Sequence, residues 1–482
     1  MKIPGFMRRF LPKSAFAKSV SILVGSTAIG QTITVLASPL LTRIYSPEDF
    51  GTLAVFASFL GVVAVVASLR YELALPLPEE DETAANVLAL SLSIVVANTL
   101  LVGFLVWLFG DKLVKIVNAP RLHSFLWLVP LGIMGAGFYQ VLSFWAVRKK
   151  AFNHIAQTKL NQSIGQILTQ LSLGVTVSGP VGLLLGQVIG QAMGSTTLAV
   201  LAWRNDEQSF KAVNPSDMLR VASRYKDFPL FSSWSTLFNA LSLQIPVVLL
   251  SYLFGPTVTG LYSLGYRVLQ TPMSLIGQSI GQVFFSSAAE ANRSGSISVV
   301  TRVIFHRLVQ VGLPVILLIG VAAPELFSFV FGSEWQVAGV YAQWFVPWLL
   351  LVFISSPLST LPSVLEKQQL EMAFQATLLL SRIVSLLIGA ALGNVFWAIA
   401  LFALVSALCW FAFMLCNMRM SGNGAGLVLG IIVKELVLAI PMILPVVIAK
   451  ALFSSTILVI IVVVLSGMII VYRVLKLLPG RE

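Results

Sequence analysis

The sequence predicts an all-α polytopic membrane protein of about fourteen transmembrane helices, built as two pseudo-symmetric six-helix lobes followed by two further helices. Three observations carry this. Hydrophobic residues make up 57% of the 482 and charged ones only 10%, which excludes an ordinary soluble domain. Apolar runs of membrane-spanning length recur along the whole chain. A short motif also repeats, since LLTRIYSPEDFG at 40–51 aligns without gaps on LLSYLFGPTVTG at 249–260, matching Pro47 to Pro256 and Gly51 to Gly260. A closed β-barrel would need alternating strands of about ten residues, and the sequence lacks that pattern.

The spans fall at about 18–41, 50–74, 84–109, 124–147, 160–177 and 180–203 in a first lobe, 1–203. A charged stretch at 204–229 reads as a cytoplasmic connector, with Met218, Leu219, Val221 and Ala222 spaced for a short surface helix. The second lobe, 230–417, has runs at about 230–253, 258–286, 303–323, 338–361, 372–392 and 395–417. Two more, at 430–452 and 454–475, follow a glycine-rich turn in the extra segment 418–482. Pro and Gly at the repeated turns end one helix and open the next. A second pair of turns is expected around Gly110 and Gly332. The first run has full span length and no clear small-residue cleavage site, so it is read as a helix and not a leader.

With the N-terminus in the cytoplasm, all Lys and Arg except Arg43, Lys112, Lys115, Arg121, Lys450 and the membrane-embedded Arg267 and Arg382 fall inside, about 24 of 31. Both termini are then cytoplasmic. The net charge of +12 is thus a topology signal that favours anionic lipid and argues against nucleic acid. There is no phosphate-binding glycine loop, no Cys/His/carboxylate cluster with metal spacing, and no cofactor signature, so no enzymatic activity is expected. Cys409 and Cys416 lie seven apart on one helix, beyond disulfide reach.

The candidate site residues are polar groups inside apolar spans. Ser263, Arg267, Gln270, Ser274 and Gln278 recur at helical spacing and share one face. Arg267 lies about 14 Å into its span, a depth at which an arginine costs about 3 kcal/mol unless it faces protein or water. Arg382 lies at a similar depth in its own span. Thr27 and Gln31 mark the first helix, with Asn239 in the corresponding helix of the second repeat. Arg70 and Glu72 sit near a cytoplasmic mouth, as interfacial anchors or a gate, and Arg43 has Tyr252 opposite it in the repeat. Glu72, Glu290 and Glu435 are the candidate ion-coupling carboxylates, with Lys434 as the expected neighbour of Glu435. The glutamines at 162, 166, 170, 187 and 191 suit either sugar hydroxyls or helix-to-helix bonding.

The segment LLTRIYSPEDFGTLAVFASFLGVVAVVASLRYELAL from Leu40, the RKKAF turn from Arg148 and the six-plus-six-plus-two pattern resemble the polysaccharide transporter family, the Wzx-type flippases of the multidrug/oligosaccharidyl-lipid/polysaccharide exporter superfamily. The resemblance spans essentially the whole chain. It implies a MATE/MurJ-like fold whose two lobes open a central cavity alternately to each side. It also implies translocation of an undecaprenyl-pyrophosphate-linked oligosaccharide across the bacterial inner membrane for O-antigen or exopolysaccharide assembly, by a monomer working with a polymerase and a ligase. Arg267, Arg382, Arg70 and Arg43 would then meet the anionic headgroup. A lipid II flippase, a cation-coupled drug exporter and a non-transporting scaffold stand as the alternatives.

Overall fold

Proline and glycine set the helix boundaries, and the computed structural model shows where they act. It describes residues 15–365, 367–453 and 455–477; the basic N-terminus to Lys13 and the side chains of 15–24, Ser235, Gln278 and some further helical positions lie outside the described residues. The helices are α1 (Ala15–Ile44), α2 (Pro47–Ala64), α3 (Asp81–Ile116), α4 (Leu128–Arg148), α5 (Phe152–Thr176), α6 (Val181–Phe210), the short α7 (Pro215–Arg224), α8 (Ser233–Phe254), α9 (Pro256–Arg293), α10 (Ile297–Phe331), α11 (Gln336–Ser355), α12 (Gln368–Ala391), α13 (Val395–Met420), α14 (Ala425–Leu452) and α15 (Thr456–Leu477). No strand occurs among the described residues.

Among the described residues, eleven helices are long and apolar enough to cross a membrane. The fourteen spans expected from the sequence are not all recovered on this measure. Helices α1, α5 and α9 have the length, and α5 and α9 carry the polar faces that lower their apolarity. The chain divides into two compact units, Met1–Gly260 and Leu261–Glu482.

In the first unit, Ser46 and Asp49 form a reciprocal capping box that starts α2, with Pro47 in the first turn. Arg121 reaches the same helix end, 2.9 Å from Glu48 and 2.8 Å from Asp49. The repeated motif closes on itself here. A Cβ on Gly51 would overlap the Pro256 carbonyl, and one on Gly260 would overlap the Pro47 carbonyl. The contact is reciprocal at the residues that the repeat pairs. Small residues let two backbones approach where lipid supplies no hydrophobic drive. The turn expected around Gly110 lies further on, because α3 runs through Gly110 to Ile116 and the chain turns at Asn118, whose φ is 50°.

Helix α2 also departs from the expected 50–74 span, since it stops at Ala64. The side-chain amide of Asn98 on α3 donates to the carbonyls of Val66 (3.3 Å) and Ala67 (2.8 Å), which satisfies them outside the helix. Leu69 and Arg70 then adopt left-handed φ of 50° and 64°, at a cost of about 1 kcal/mol or more each. A 3₁₀ turn, Tyr71–Ala74, follows.

Helices α5 and α6 pack through the glutamines. Gln166 Nε2 donates to Gln187 Oε1 at 2.9 Å, Gln162 Nε2 to Gln191 Oε1 at 3.4 Å, and Gln170 Nε2 to the Leu183 carbonyl at 3.2 Å. These amides bond helix to helix. At the other end, Arg148 donates to the carbonyls of Pro78 (2.6 Å) and Leu75 (3.2 Å), and Lys149 bridges Asp81 (2.7 Å) and Asp206 (2.9 Å). The basic 148–150 turn and the acidic 79–82 turn therefore share one end of the unit. Burial alone would lower the Lys149 ammonium, but its bonds to Asp206 and Asp81 outweigh this and raise its pKa. The connector helix forms as α7, capped by Asn214, and docks through Asn86 on the Asn214 amide and Tyr71 on the Ala222 carbonyl.

In the second unit, Phe305, Leu308 and Val309 of α10 pack with Phe353 of α11, Met414 and Met418 of α13, and Val428, Ala439 and Ile443 of α14. Leu318 and Ala322 of α10 meet Val446 and Ala449 of α14 and Val463 and Ile470 of α15. The two C-terminal helices thus belong to this unit's core. Lys450 adds a polar fastening, 3.0 Å from Glu325 and donating to the Val321 carbonyl at 2.8 Å.

Candidate functional site: buried arginines and carboxylates

The break after α2 places Glu72 in the interior of the first unit, at 0% exposure. Arg70 lies 3.2 Å from its Oε1, Gln140 of α4 donates to the same oxygen at 2.6 Å, and the Ser68 hydroxyl donates to Oε2. The carboxylate is fully partnered. Arg70 is correspondingly neutralised and mostly buried, which makes it part of an internal pair and no open cationic ligand. Its Nε is buried without a partner. On α1, Thr27 is half-buried while Gln31 and Arg43 are exposed, and Asn239 on α8 is exposed.

The polar face of α9 forms as a helix from Pro256 to Arg293. Ser263, Arg267, Gln270 and Ser274 are half-buried along it. Two of the small hydroxyls on this helix are used locally, Ser274 bonding the Thr271 carbonyl at 2.9 Å and Thr271 the Arg267 carbonyl at 2.8 Å. The Arg267 guanidinium differs. Among the described residues nothing stands within hydrogen-bond or ion-pair distance of it. A cation of this kind in a span is stable only if an anion or water completes it.

Arg382 on α12 is 8% exposed, and aromatic rings take the place of a carboxylate. Its guanidinium carbon stands 4.8 Å from the Trp348 ring centroid and 5.3 Å from that of Phe402, and Nε donates to Ser406 Oγ at 3.0 Å. The ring faces supply the negative end of a quadrupole to the cation.

Glu435 on α14 is 1% exposed. Its partners are Arg473 of α15 at 2.5 Å, Gln310 of α10 at 3.2 Å and His306 of α10 at 3.4 Å. Lys434, the expected neighbour, is on the exposed side of α14. The cluster ties both C-terminal helices to α10. Glu290 is exposed near the end of α9.

The structure thus joins Arg70 to Glu72, and Arg382 to the rings around Tyr262 and Tyr266, and sets Glu435 among α10, α14 and α15. Sequence reasoning missed Gln140, Arg473, Trp348 and Phe402. Arg473 carried a usable signal, as a lone arginine in a 22-residue apolar helix. No group of three or more His, Cys, Asp or Glu that could hold a metal ion occurs among the described residues.

Comparison with known proteins gives the context. The model of a family described as polysaccharide biosynthesis protein matches residues 40–339, more than half of the chain. The succinoglycan biosynthesis transport protein ExoT of Rhizobium meliloti (strain 1021) is 24% identical over 341 residues, 67% of this chain and 64% of that protein. The fold is similar to the lipid II flippase MurJ in an inward closed conformation, with a TM-score of 0.73 at 13% identity over 94% of this chain and 99% of that one. It is also similar to an inward-facing multidrug resistance MATE family transporter of the MOP superfamily, with a TM-score of 0.65 at 15% identity over 83% and 98%. Identities this low show the fold alone, and none of the matched proteins is named as an enzyme. The chain belongs to the polysaccharide biosynthesis protein family, on the helical fold that MurJ and MATE transporters share.

Proposed function

We propose that this protein is a flippase that moves an undecaprenyl-pyrophosphate-linked oligosaccharide across the bacterial inner membrane by alternating access, for O-antigen or exopolysaccharide assembly. The observation that carries the reading is Arg267, a cation without a protein partner among the described residues, set on the polar face of a membrane-length helix in a polysaccharide biosynthesis family member. Pyrophosphate is the costly group to carry through hydrocarbon, and arginine binds it by charge-assisted, bidentate hydrogen bonds. Ser263, Gln270, Ser274, Gln278, Gln31, Thr27 and Asn239 are assigned to the sugar path and Arg43 to its outer, periplasmic end. Arg70 and Glu72 act as a coupling pair, with Glu435 and Glu290 as further candidates.

Both termini are cytoplasmic in this reading, the protein acts as a monomer, and its product passes to a polymerase and a ligase. The fold it shares with a lipid II flippase does not choose the sugar. Complementation of a strain lacking its own polysaccharide flippase tests the proposal, with a strain lacking its lipid II flippase as the comparison. Restored surface polysaccharide in the first and no rescue in the second supports it. Rescue of the second alone overturns it.

A further inference from the structure

Arg382 is closed in on both sides. Trp348 and Phe402 cover it, and Nε is bonded to Ser406. Among the described residues no carboxylate pairs with it. A residue so enclosed is poorly placed to grip a large headgroup, but its rings lead directly to Arg267, the arginine without a partner among the described residues. Trp348 stacks on Tyr266 with centroids 5.4 Å apart and planes 7° from parallel. Tyr266 in turn stacks on Tyr262, one helical turn back, at 6.0 Å and 8°. Tyr262 presents edge contacts to Phe345 at 5.4 Å and Phe402 at 5.9 Å. Phe402 therefore touches both Arg382 and Tyr262, and the rings close a circuit.

Two further observations show how firmly this stretch is fixed. The indole Nε1 of Trp348 is buried without a hydrogen-bond partner, so the ring is placed for stacking and not for its donor. The backbone of α9 is also close to α11, since a Cβ on Gly265 would come within 2.9 Å of the Ala338 carbonyl. Residues 262–266 are pinned by rings and backbone, and Arg267 is the next residue. Its backbone is held by these contacts while its guanidinium has no partner among the described residues, the arrangement that lowers the ordering cost of binding.

We propose that Arg382 is a positioning residue, which holds Trp348 and through it the Tyr262–Tyr266 turn of α9 so that Arg267 is preorganised for the pyrophosphate headgroup. The inference rests on the headgroup reading of Arg267 given above. It differs in giving Arg382 no direct contact with the substrate.

The test is binding of undecaprenyl pyrophosphate to the full-length protein in nanodiscs, counted per folded, monodisperse protein. Arg267→Ala, Arg382→Met, Arg382→Lys, Trp348→Leu and the double Arg267→Ala/Arg382→Met variant are compared with the unaltered chain. Arg267→Ala and Arg382→Met should each weaken binding by about tenfold, and the double variant should be no weaker than Arg267→Ala alone, the non-additivity of residues that act through one another. Trp348→Leu should match Arg382→Met, and Arg382→Lys should recover most of the affinity by keeping a cation over the ring. A double variant weakened by about a hundredfold, the product of two independent losses, would make Arg382 a ligand in its own right and overturn the proposal. Unchanged binding by Arg382→Met overturns it too. Unchanged binding by Arg267→Ala defeats the headgroup reading itself, and this inference with it.

Discussion

Gly51 stands against the Pro256 carbonyl with no room for a Cβ, and the paired residues of the other repeat, Gly260 and Pro47, meet in the same way. Two copies of one turn thus lock by backbone contact. The arrangement depends on glycine at both positions, because the obstacle is carbonyl and amide backbone that cannot rotate aside as a side chain can.

Gly51→Ala and Gly260→Ala should therefore destabilise the protein by about 2 kcal/mol or more. Gly25→Ala, where a Cβ meets nothing within 4 Å, should be neutral or slightly stabilising through helix propensity. Thermal unfolding in detergent, followed by fluorescence-detected size exclusion, separates the two cases. Equal melting of all three variants would show that the repeats do not meet as described.

Glu435 and Arg473 form a pair whose removal should be asymmetric. Glu435→Ala leaves Arg473 buried without its counter-charge and should cost about 3 kcal/mol. Glu435→Leu combined with Arg473→Met should recover most of that loss, since the cost lies in the unpaired charge. Unfolding midpoints of the single and double variants read this directly, and a double variant as unstable as the single would show that the cluster stabilises by some other means.

Asn98 satisfies two carbonyls at the broken end of α2. Asn98→Leu should cost about 1–3 kcal/mol by leaving the Ala67 carbonyl without its donor, while the Val66 carbonyl keeps the Leu69 amide at 3.0 Å. It should also raise hydrogen exchange at residues 65–75 ahead of α3. Uniform exchange across both segments would show that the amide does not hold the break.

Glu72 is the best enclosed of the carboxylates assigned to coupling, with Arg70, Gln140 and Ser68 on its two oxygens. Glu72→Gln keeps the shape and removes the charge. In proteoliposomes its transport should no longer respond to an imposed proton or sodium gradient, while the unaltered protein's rate rises with one of them. A gradient response that survives the substitution would remove Glu72 from any coupling role.

Much of the fold was legible because its signals are local. Length and apolarity mark most of the spans, and Pro47, Gly51, Pro256 and Gly260 mark the repeat by type and spacing alone. What the sequence hid was long-range. The break after Ala64 needs Asn98 from the next helix, and Gly110 reads as a turn only until the packing around α3 is known. The sequence offers Glu435 its chain neighbour Lys434, whereas its partners lie on α10 and α15. Arg382 reads from sequence as a mid-membrane cation, but a string of residues does not reveal that Trp348 and Phe402 enclose it. Arg267 is legible as a cation on the polar face of a long helix, and the packing adds that no partner stands near it among the described residues.

Translocation itself gives the most direct test of the central claim. Purified protein is reconstituted into liposomes with undecaprenyl-pyrophosphate-linked oligosaccharide in the inner leaflet, and the sugar reaching the outer leaflet is counted with an impermeant glycosidase or lectin. Unaltered protein should move the substrate, Arg267→Lys should retain part of the rate by keeping the charge without the bidentate fork, and Arg267→Ala should lose about tenfold or more. Transport by Arg267→Ala at the full rate, or no transport by any form in the presence of either gradient, would contradict the account.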